Sequence, residues 1–329
     1  MMDSYGRNID YLRISVTDRC NLRCVYCMPK TGVEQVDHSL ILSHEEILMV
    51  CEVMAGLGIS KIKITGGEPL VRRHLPEIIR DIKKVPGISC VTMTTNGVAL
   101  AGQMEALVKA GLDGLNISLD ALDPLTYKKI TRRDAFTETM AGIKKALEFP
   151  QIALKINCVP LGKEGQDLCQ MAKLAKDHPV HVRFIEMMPI GLGEQFTCMP
   201  EDEIRTLLEA QFGPLVPYEG VLGPGPGHYV TVEGFQGKIG FISAISHKFC
   251  TSCNRIRLTS QGYLKTCLQY AAGCDLRQIL RSGKSKEAQR RALEAAILQA
   301  VAEKPVSHAF RTPKGLDQTE TMCMSQIGG

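Results

Sequence analysis

Cys20, Cys24 and Cys27 place three thiols within eight residues, directly after the apolar, strand-like run Tyr11-Leu12-Arg13-Ile14-Ser15-Val16. Three thiolates in one loop make a soft, anionic claw suited to iron–sulfur or zinc, and unsuited to calcium or magnesium. A structural zinc site closes with four ligands, commonly two pairs, whereas three ligands and an open position suit a metal that touches a substrate. A four-iron cluster held by three cysteines keeps one iron free. Three unrelated core cysteines are the bland alternative, and clustering this tight in a rare residue type speaks against it. A second set, Cys250, Cys253 and Cys267, leaves two and then thirteen residues between thiols. Taken alone, that spacing is a zinc knuckle, with Cys274 available as a fourth ligand. Arg255 and Arg257 leave one strand face beside it, and paired guanidinium forks match phosphate geometry.

Other polar groups fall where apolar runs end. Thr65-Gly66-Gly67-Glu68 allows close backbone approach and could hold a small zwitterion, or simply make a tight turn. Thr94-Thr95-Asn96-Gly97 and Asn116-Ile117-Ser118-Leu119-Asp120 serve equally well as helix caps. By the two-residue period, Lys63 shares a strand face with Thr65, Lys155 with Asn157, and Arg183 lies on strand six near Glu186. Charges on a solvated edge would look the same, but several strands aiming polar side chains at one end fit a ligand cavity better. Met187 and Met188 read first as core.

The elements that must position these groups alternate. Ser43-His44-Glu45-Glu46 is a capping box opening a helix to about residue 57. Strands are expected near residues 12–16, 61–65, 91–94, 115–118, 153–159 and 180–186. Helices are expected near 75–83, 99–110, 136–148 and 167–176. Six βα repeats imply a parallel sheet or barrel, two short of a complete one. The fold expected is α/β, a partial (β/α)6 TIM-like barrel over residues 1–215. A smaller C-terminal α+β region, 216–329, closes its open side after the Gly/Pro-rich connector at 220–227. That region holds short strands near 229–232, 239–244 and 256–258, and an amphipathic helix near 286–304.

Composition narrows the class. The chain has 329 residues, 44% hydrophobic and 22% charged, ordinary values for a globular protein. Without Trp, with 5% aromatics and a net charge of +4, it lacks the signature of a nucleic-acid partner. No signal peptide, membrane anchor or bilayer-length apolar run is read, and thirteen cysteines then indicate a reducing compartment, so the cytoplasm is expected.

Cys20-x-x-x-Cys24-x-x-Cys27, with Tyr26 before the last thiol, resembles the cluster motif of radical S-adenosylmethionine (SAM) enzymes, whose open iron chelates SAM. Together with Leu12-Arg13-Ile14-Ser15-Val16-Thr17-Asp18-Arg19-Cys20-Asn21, with Cys250-Thr-Ser-Cys253-Asn-Arg255-Ile-Arg257-Leu, with Cys267 and with the terminal Ile327-Gly328-Gly329, it resembles the GTP 3′,8-cyclases of molybdenum cofactor biosynthesis over nearly the whole chain. The resemblance implies two [4Fe–4S] clusters, held by Cys20, Cys24 and Cys27 and by Cys250, Cys253 and Cys267. It places Tyr26, Gly67, Ser118 and Met188 against SAM. Arg13, Lys63, Thr94, Lys155, Arg183, Arg255 and Arg257 fall against GTP, and Gly328 and Gly329 are implied to enter the catalytic site. The implied reaction takes hydrogen from ribose C3′ of GTP with a deoxyadenosyl radical. The sugar radical then closes onto guanine C8, and one-electron reduction follows. A flavodoxin- or ferredoxin-like electron donor and a downstream cyclic pyranopterin monophosphate synthase are the implied partners; a homodimer is left open. Cys274 departs from the family pattern, as a competing ligand or a buried residue. Cys51, Cys90, Cys158, Cys169, Cys198 and Cys323 read as packing. A peptide-modifying radical SAM enzyme and a zinc-scaffolded binding protein are the rival readings.

Overall fold

In the computed structural model, residues 1–34, 36–162, 165–310, 320 and 322–328 are described. Twelve strands form one sheet: β1 Tyr11–Ser15, β2 Lys61–Thr65, β3 Cys90–Thr95, β4 Gly114–Ser118, β5 Ala153–Cys158, β6 His181–Ile185, β7 Val216–Tyr218, β8 His228–Thr231, β9 Ile239–Ile242, β10 Arg255–Leu258, β11 Tyr263–Lys265 and β12 Gly273–Asp275. The helices are α1 His44–Gly56, α2 Leu75–Lys83, α3 Met104–Lys109, α4 Pro124–Thr131, α5 Phe136–Leu147, α6 Leu168–Asp177, α7 Glu201–Phe212, α8 Leu276–Leu280, α9 Lys286–Ala302 and α10 Met324–Ile327.

Strand order is β12-β11-β10-β1-β2-β3-β4-β5-β6-β9-β8-β7. The six expected βα strands lie side by side and parallel, as alternation with helices demands. The barrel stays open, since β12 and β7 end the order unpaired with each other. The C-terminal strands extend the sheet at both edges. β10 adds parallel to β1 and β9 adds parallel to β6, so eight parallel strands run across the site. Antiparallel β11–β12 and β7–β8 then extend the two edges.

Strand alternation sorts the faces. Leu12 and Ile14, Ile62 and Ile64, Val91 and Met93, Leu115 and Ile117, Leu154 and Ile156, Ile256 and Leu258 are all buried in one apolar cluster with the helices. The residues alternating with them, Arg13, Lys63, Thr92, Asn116, Lys155, Arg183 and Arg257, take the other face. A barrel interior is ordinarily filled with branched apolar side chains. Here it is polar and cationic, which marks a ligand cavity.

Local signals fix the helices. The capping box closes as its sequence predicts: Glu46 N–H donates to Ser43 Oγ at 3.2 Å, and Ser43 N–H to Glu46 Oε2 at 2.7 Å. The expected helix at 99–110 shortens to Met104–Lys109 behind a turn. Among the described residues no helix is long and apolar enough to cross a membrane.

Candidate functional site: two cysteine sets flanking a cationic barrel

The first cysteine loop leaves β1 and is clasped by α4. Arg23 and Val25 N–H groups donate to Thr131 and Ile130 carbonyls, both at 2.9 Å, and Arg132 donates to Met28 O at 3.1 Å. The Arg23 guanidinium donates to the carbonyls of Cys20 and Leu22 at 2.6 and 2.8 Å. Gly66 and Gly67 have a specific reason to be glycine. A Cβ on Gly67 would sit 2.4 Å from Arg19 O, and one on Gly66 2.7 Å from Thr17 O. The missing side chains make room for the backbone leading into Cys20, which Gly67 and Glu68 bind through N–H groups at 2.8 Å each. Their bareness serves the loop's own packing, a use that local spacing did not reveal.

Glu68 anchors that loop: it accepts from Thr95 Oγ1 at 2.6 Å, Asn96 N–H at 2.7 Å and Leu70 N–H at 3.0 Å. Burial pushes its carboxyl up to about 7. Tyr26 donates to Asp120 Oδ2 at 2.7 Å, and Asp120 also accepts from Val159 N–H at 2.8 Å. Met188 packs with Ile190, Leu268 and Ile327. Ser118 ends β4 in register with Asn157, next along the row from Arg183.

The thiol set fits a cationic cluster. Burial first, then Asp120, Cys27 and Cys20, drive the Cys24 thiol well up; burial, Cys20 and Cys323 push Cys27 up to about 12. Half-buried thiols that repel one another's charge are relieved by a positive centre among them, because metal binding releases their protons. The second set sits in a more positive environment. Burial acts to raise Cys253, but Lys304, Arg255 and Arg257 outweigh it and hold its thiol low. Lys304, 3% exposed, donates to Arg255 O and Thr266 O. Arg7 ties Cys250 O to Val306 O at 3.0 and 2.9 Å. Among the described residues no three His, Cys, Asp or Glu side chains converge tightly enough to hold a metal ion as they stand. All thirteen cysteines are free thiols. Cys274 packs toward α9, its Sγ 3.8 Å from Ala296 O.

Between the sets lies the cationic wall. Register places Arg257 beside Arg13 and Arg13 beside Lys63. Across the sheet, Asn116 adjoins Thr94 and Lys155, and Asn157 adjoins Arg183. Lys63, Lys155, Arg183 and Arg255 are buried, and among the described residues none of them, nor Arg257, has a carboxylate within ion-pair distance. Nε of Arg255 and of Arg257 is buried without a hydrogen-bond partner. Burial, then Arg183, Arg13 and Lys155, press Lys63 far below the usual lysine range; burial and Arg183 bring Lys155 to about 8. Buried like charges with orphaned donors are costly unless an anion enters among them. Asn157 Oδ1 holds Arg183 through Nε at 2.9 Å and Nη2 at 2.6 Å, presenting its fork. The Asn116 amide donates weakly to Thr94 Oγ1 at 3.4 Å.

The tail reaches the same mouth. Gly328 has φ +82°, and a Cβ there would meet Thr65 Oγ1 at 2.9 Å and Ser15 Cβ at 3.0 Å, at the ends of β2 and β1. Gly329 lies outside the described residues. Sequence reasoning passed over Asn157's grip on Arg183, Lys304, the Lys265–Glu320 pair and the contact of Asp120 with Tyr26.

Residues 14–175 match the Radical SAM superfamily, and residues 180–310 match Molybdenum Cofactor Synthesis C. A GTP 3′,8-cyclase of Petrotoga mobilis is 45% identical over 336 residues, and one of Syntrophomonas wolfei subsp. wolfei 42% over 333, each match covering 100% of both chains. The chain belongs to the GTP 3′,8-cyclase family. It is therefore an enzyme of the radical SAM type, and the sequence resemblance holds end to end. In fold, it is similar to Streptococcus suis SuiB bound to S-adenosylmethionine, with a TM-score of 0.62 at 14% identity, covering 91% of this chain and 67% of that one. At that identity the likeness speaks to the barrel alone, whose cationic interior sets this member of the cyclase family its task.

Proposed function

We propose that this chain converts GTP to (8S)-3′,8-cyclo-7,8-dihydroguanosine 5′-triphosphate, an early step of molybdenum cofactor biosynthesis. The observation that carries the reading is the set of cations between the two cysteine sets, Lys63, Lys155, Arg183, Arg255 and Arg257, none of which has a carboxylate within ion-pair distance among the described residues. Cys20, Cys24 and Cys27 would hold one [4Fe–4S] cluster and Cys250, Cys253 and Cys267 the other. When bound, the first cluster and SAM supply the reducing electron and the carbon radical that removes hydrogen at ribose C3′. The rest is done by the chain. Tyr26, Gly67, Ser118 and Met188 line the SAM side, with Asp120 fixing Tyr26 and the Thr17 carbonyl fixing Gly67. Arg13, Lys63, Thr94, Lys155, Arg183, Arg255 and Arg257 hold GTP, neutralising a triphosphate of about four charges and excluding water from the reacting carbon. A division near residue 215 belongs to this reading, with SAM on the N-terminal side and the second cluster on the other. So do a flavodoxin- or ferredoxin-like electron donor, a cyclic pyranopterin monophosphate synthase that takes the product onward, a homodimer, and a cytoplasmic location. Metal analysis of anaerobically reconstituted protein tests the cluster assignment. About eight irons per chain are expected. Four would remove the second cluster, and zinc without iron would favour a scaffold.

Two outcomes follow from the cationic wall. Arg257→Ala should weaken GTP binding by ~2–5 kcal/mol, the cost of removing one partner of a desolvated charge pair. Iron content should not change, and Lys should rescue poorly because it lacks the fork. Calorimetric titration with GTP checks this, and unaltered affinity would turn Arg257 away from the phosphates. Lys155, brought to about 8, loses its proton as pH rises through that value. The KM for GTP should therefore rise above pH 8, and Lys155→Arg should flatten the rise. A KM profile that the Arg variant leaves unchanged would release Lys155 from this role.

A further inference from the structure

The tail's last turn cannot hold itself in place. α10 has four residues, too few for a helix to persist on its own. Its approach passes through a buried ion pair. Lys265, at the end of β11, has no exposed surface, and Glu320 is 4% exposed. Lys265 Nζ donates to Glu320 Oε2 and, at 2.7 Å, to Tyr270 O. The second carboxylate oxygen of Glu320 accepts from Met322 N–H at 2.8 Å, and Glu320 N–H donates to Gln269 O at 2.6 Å. One carboxylate thus fixes the backbone direction at residue 322 while its own amide ties residue 320 to the turn after Cys267. Downstream, Ile327 is fully buried beside Ile190 and Leu268, and Gly328 meets Ser15 and Thr65. A buried ion pair contributes little net stability compared with an apolar replacement, so its use here is to specify a geometry.

We propose that Glu320 and Lys265 are positioning residues: their pair ties the C-terminal tail to the hairpin that carries Cys267, so that Gly328 reaches the barrel mouth only while that hairpin is in place. The effect on turnover rests on the proposed GTP reaction; the placement of the tail does not. The test compares reconstituted wild type with Glu320→Gln, and with the uncharged double variant Lys265→Met/Glu320→Met. The double variant removes any penalty from an unpaired buried lysine and serves where the single variant folds poorly. Amide hydrogen exchange should show faster exchange at residues 322–328 in both. Iron content and the KM for GTP should stay near wild type, while kcat should fall about 10²-fold, the size of a small misplacement of a reacting centre. In a chain lacking Gly328 and Gly329, which no longer cyclises GTP, Glu320→Gln should leave iron content and uncoupled SAM cleavage as they are in the shortened parent, because it acts only through the tail. Wild-type protection of 322–328 in both variants would overturn the proposal, as would a fall in iron content or SAM cleavage when Glu320→Gln is made in the shortened chain. Hydrogen exchange needs no substrate, so a chain that fails to cyclise GTP still decides the anchor.

Discussion

Deleting Gly328 and Gly329 should abolish GTP cyclisation while iron content, SAM binding and GTP binding remain. A terminal Gly-Gly is ordinarily a frayed end, since glycine has the most conformational freedom to lose. Gly328 is not placed like a frayed end. Gly328 adopts a left-handed φ of +82° against the ends of β1 and β2, within reach of Thr65 and Ser15. A side chain there meets two obstacles, the strained φ and contacts at 2.9–3.0 Å, so Gly328→Ala should approach the deletion in effect. No phosphate-holding cation is removed, which is why binding should survive. Misplacing a group that orients the ribose costs turnover about 10²-fold or more, and SAM cleavage uncoupled from GTP should persist. Product chromatography at saturating GTP and SAM checks the result. Full cyclisation by the shortened chain would return the tail to a passive end.

Cys24→Ala should eliminate SAM cleavage altogether, whereas Cys267→Ala should eliminate only the second cluster's signal and the cyclisation. The two sets differ in surroundings. Desolvation, then Asp120 and the two neighbouring thiols hold the Cys24 thiol high, and one removal leaves two ligands for a site already short of a fourth. Cys267 follows β11, which is joined to β1 through β10, whereas the Tyr26–Asp120 contact orders the first loop. Electron paramagnetic resonance of the reduced variants, read beside 5′-deoxyadenosine formation, separates them. SAM cleavage in the Cys24 variant would contradict the ligand assignment, as would loss of both signals in the Cys267 variant.

Much of the architecture was legible because short-range rules govern it. Period-two alternation set the six parallel strands and their cationic parity, and Ser43 with Glu46 marked a helix start that forms as expected. Other signals were present and went unread. Asp123-Pro124 is a cap followed by proline at the first helical position, and it opens α4. Pro200 with Glu201, Asp202 and Glu203 puts negative charge in the first turn of α7, where the helix dipole favours it. The three-residue strands β7, β11 and β12 carry too few residues for alternation to show, and exist through their partners. Longest-range facts had no local trace: β9 and β10 joining opposite edges of the barrel, Lys304 beneath Cys253, and Lys265 meeting Glu320. Gly66 and Gly67 were visible, yet their main partner is the backbone of residues 17–19.

The central claim is that this barrel brings ribose C3′ of GTP to a radical made from SAM. It is tested most directly by incubating the anaerobically reconstituted chain with SAM, a reductant and GTP deuterated at C3′. The account predicts deuterium in the 5′-deoxyadenosine formed and a cyclised product isomeric with unlabelled GTP. Cleavage of SAM without deuterium transfer and with GTP unchanged, in protein that holds both clusters, would contradict it.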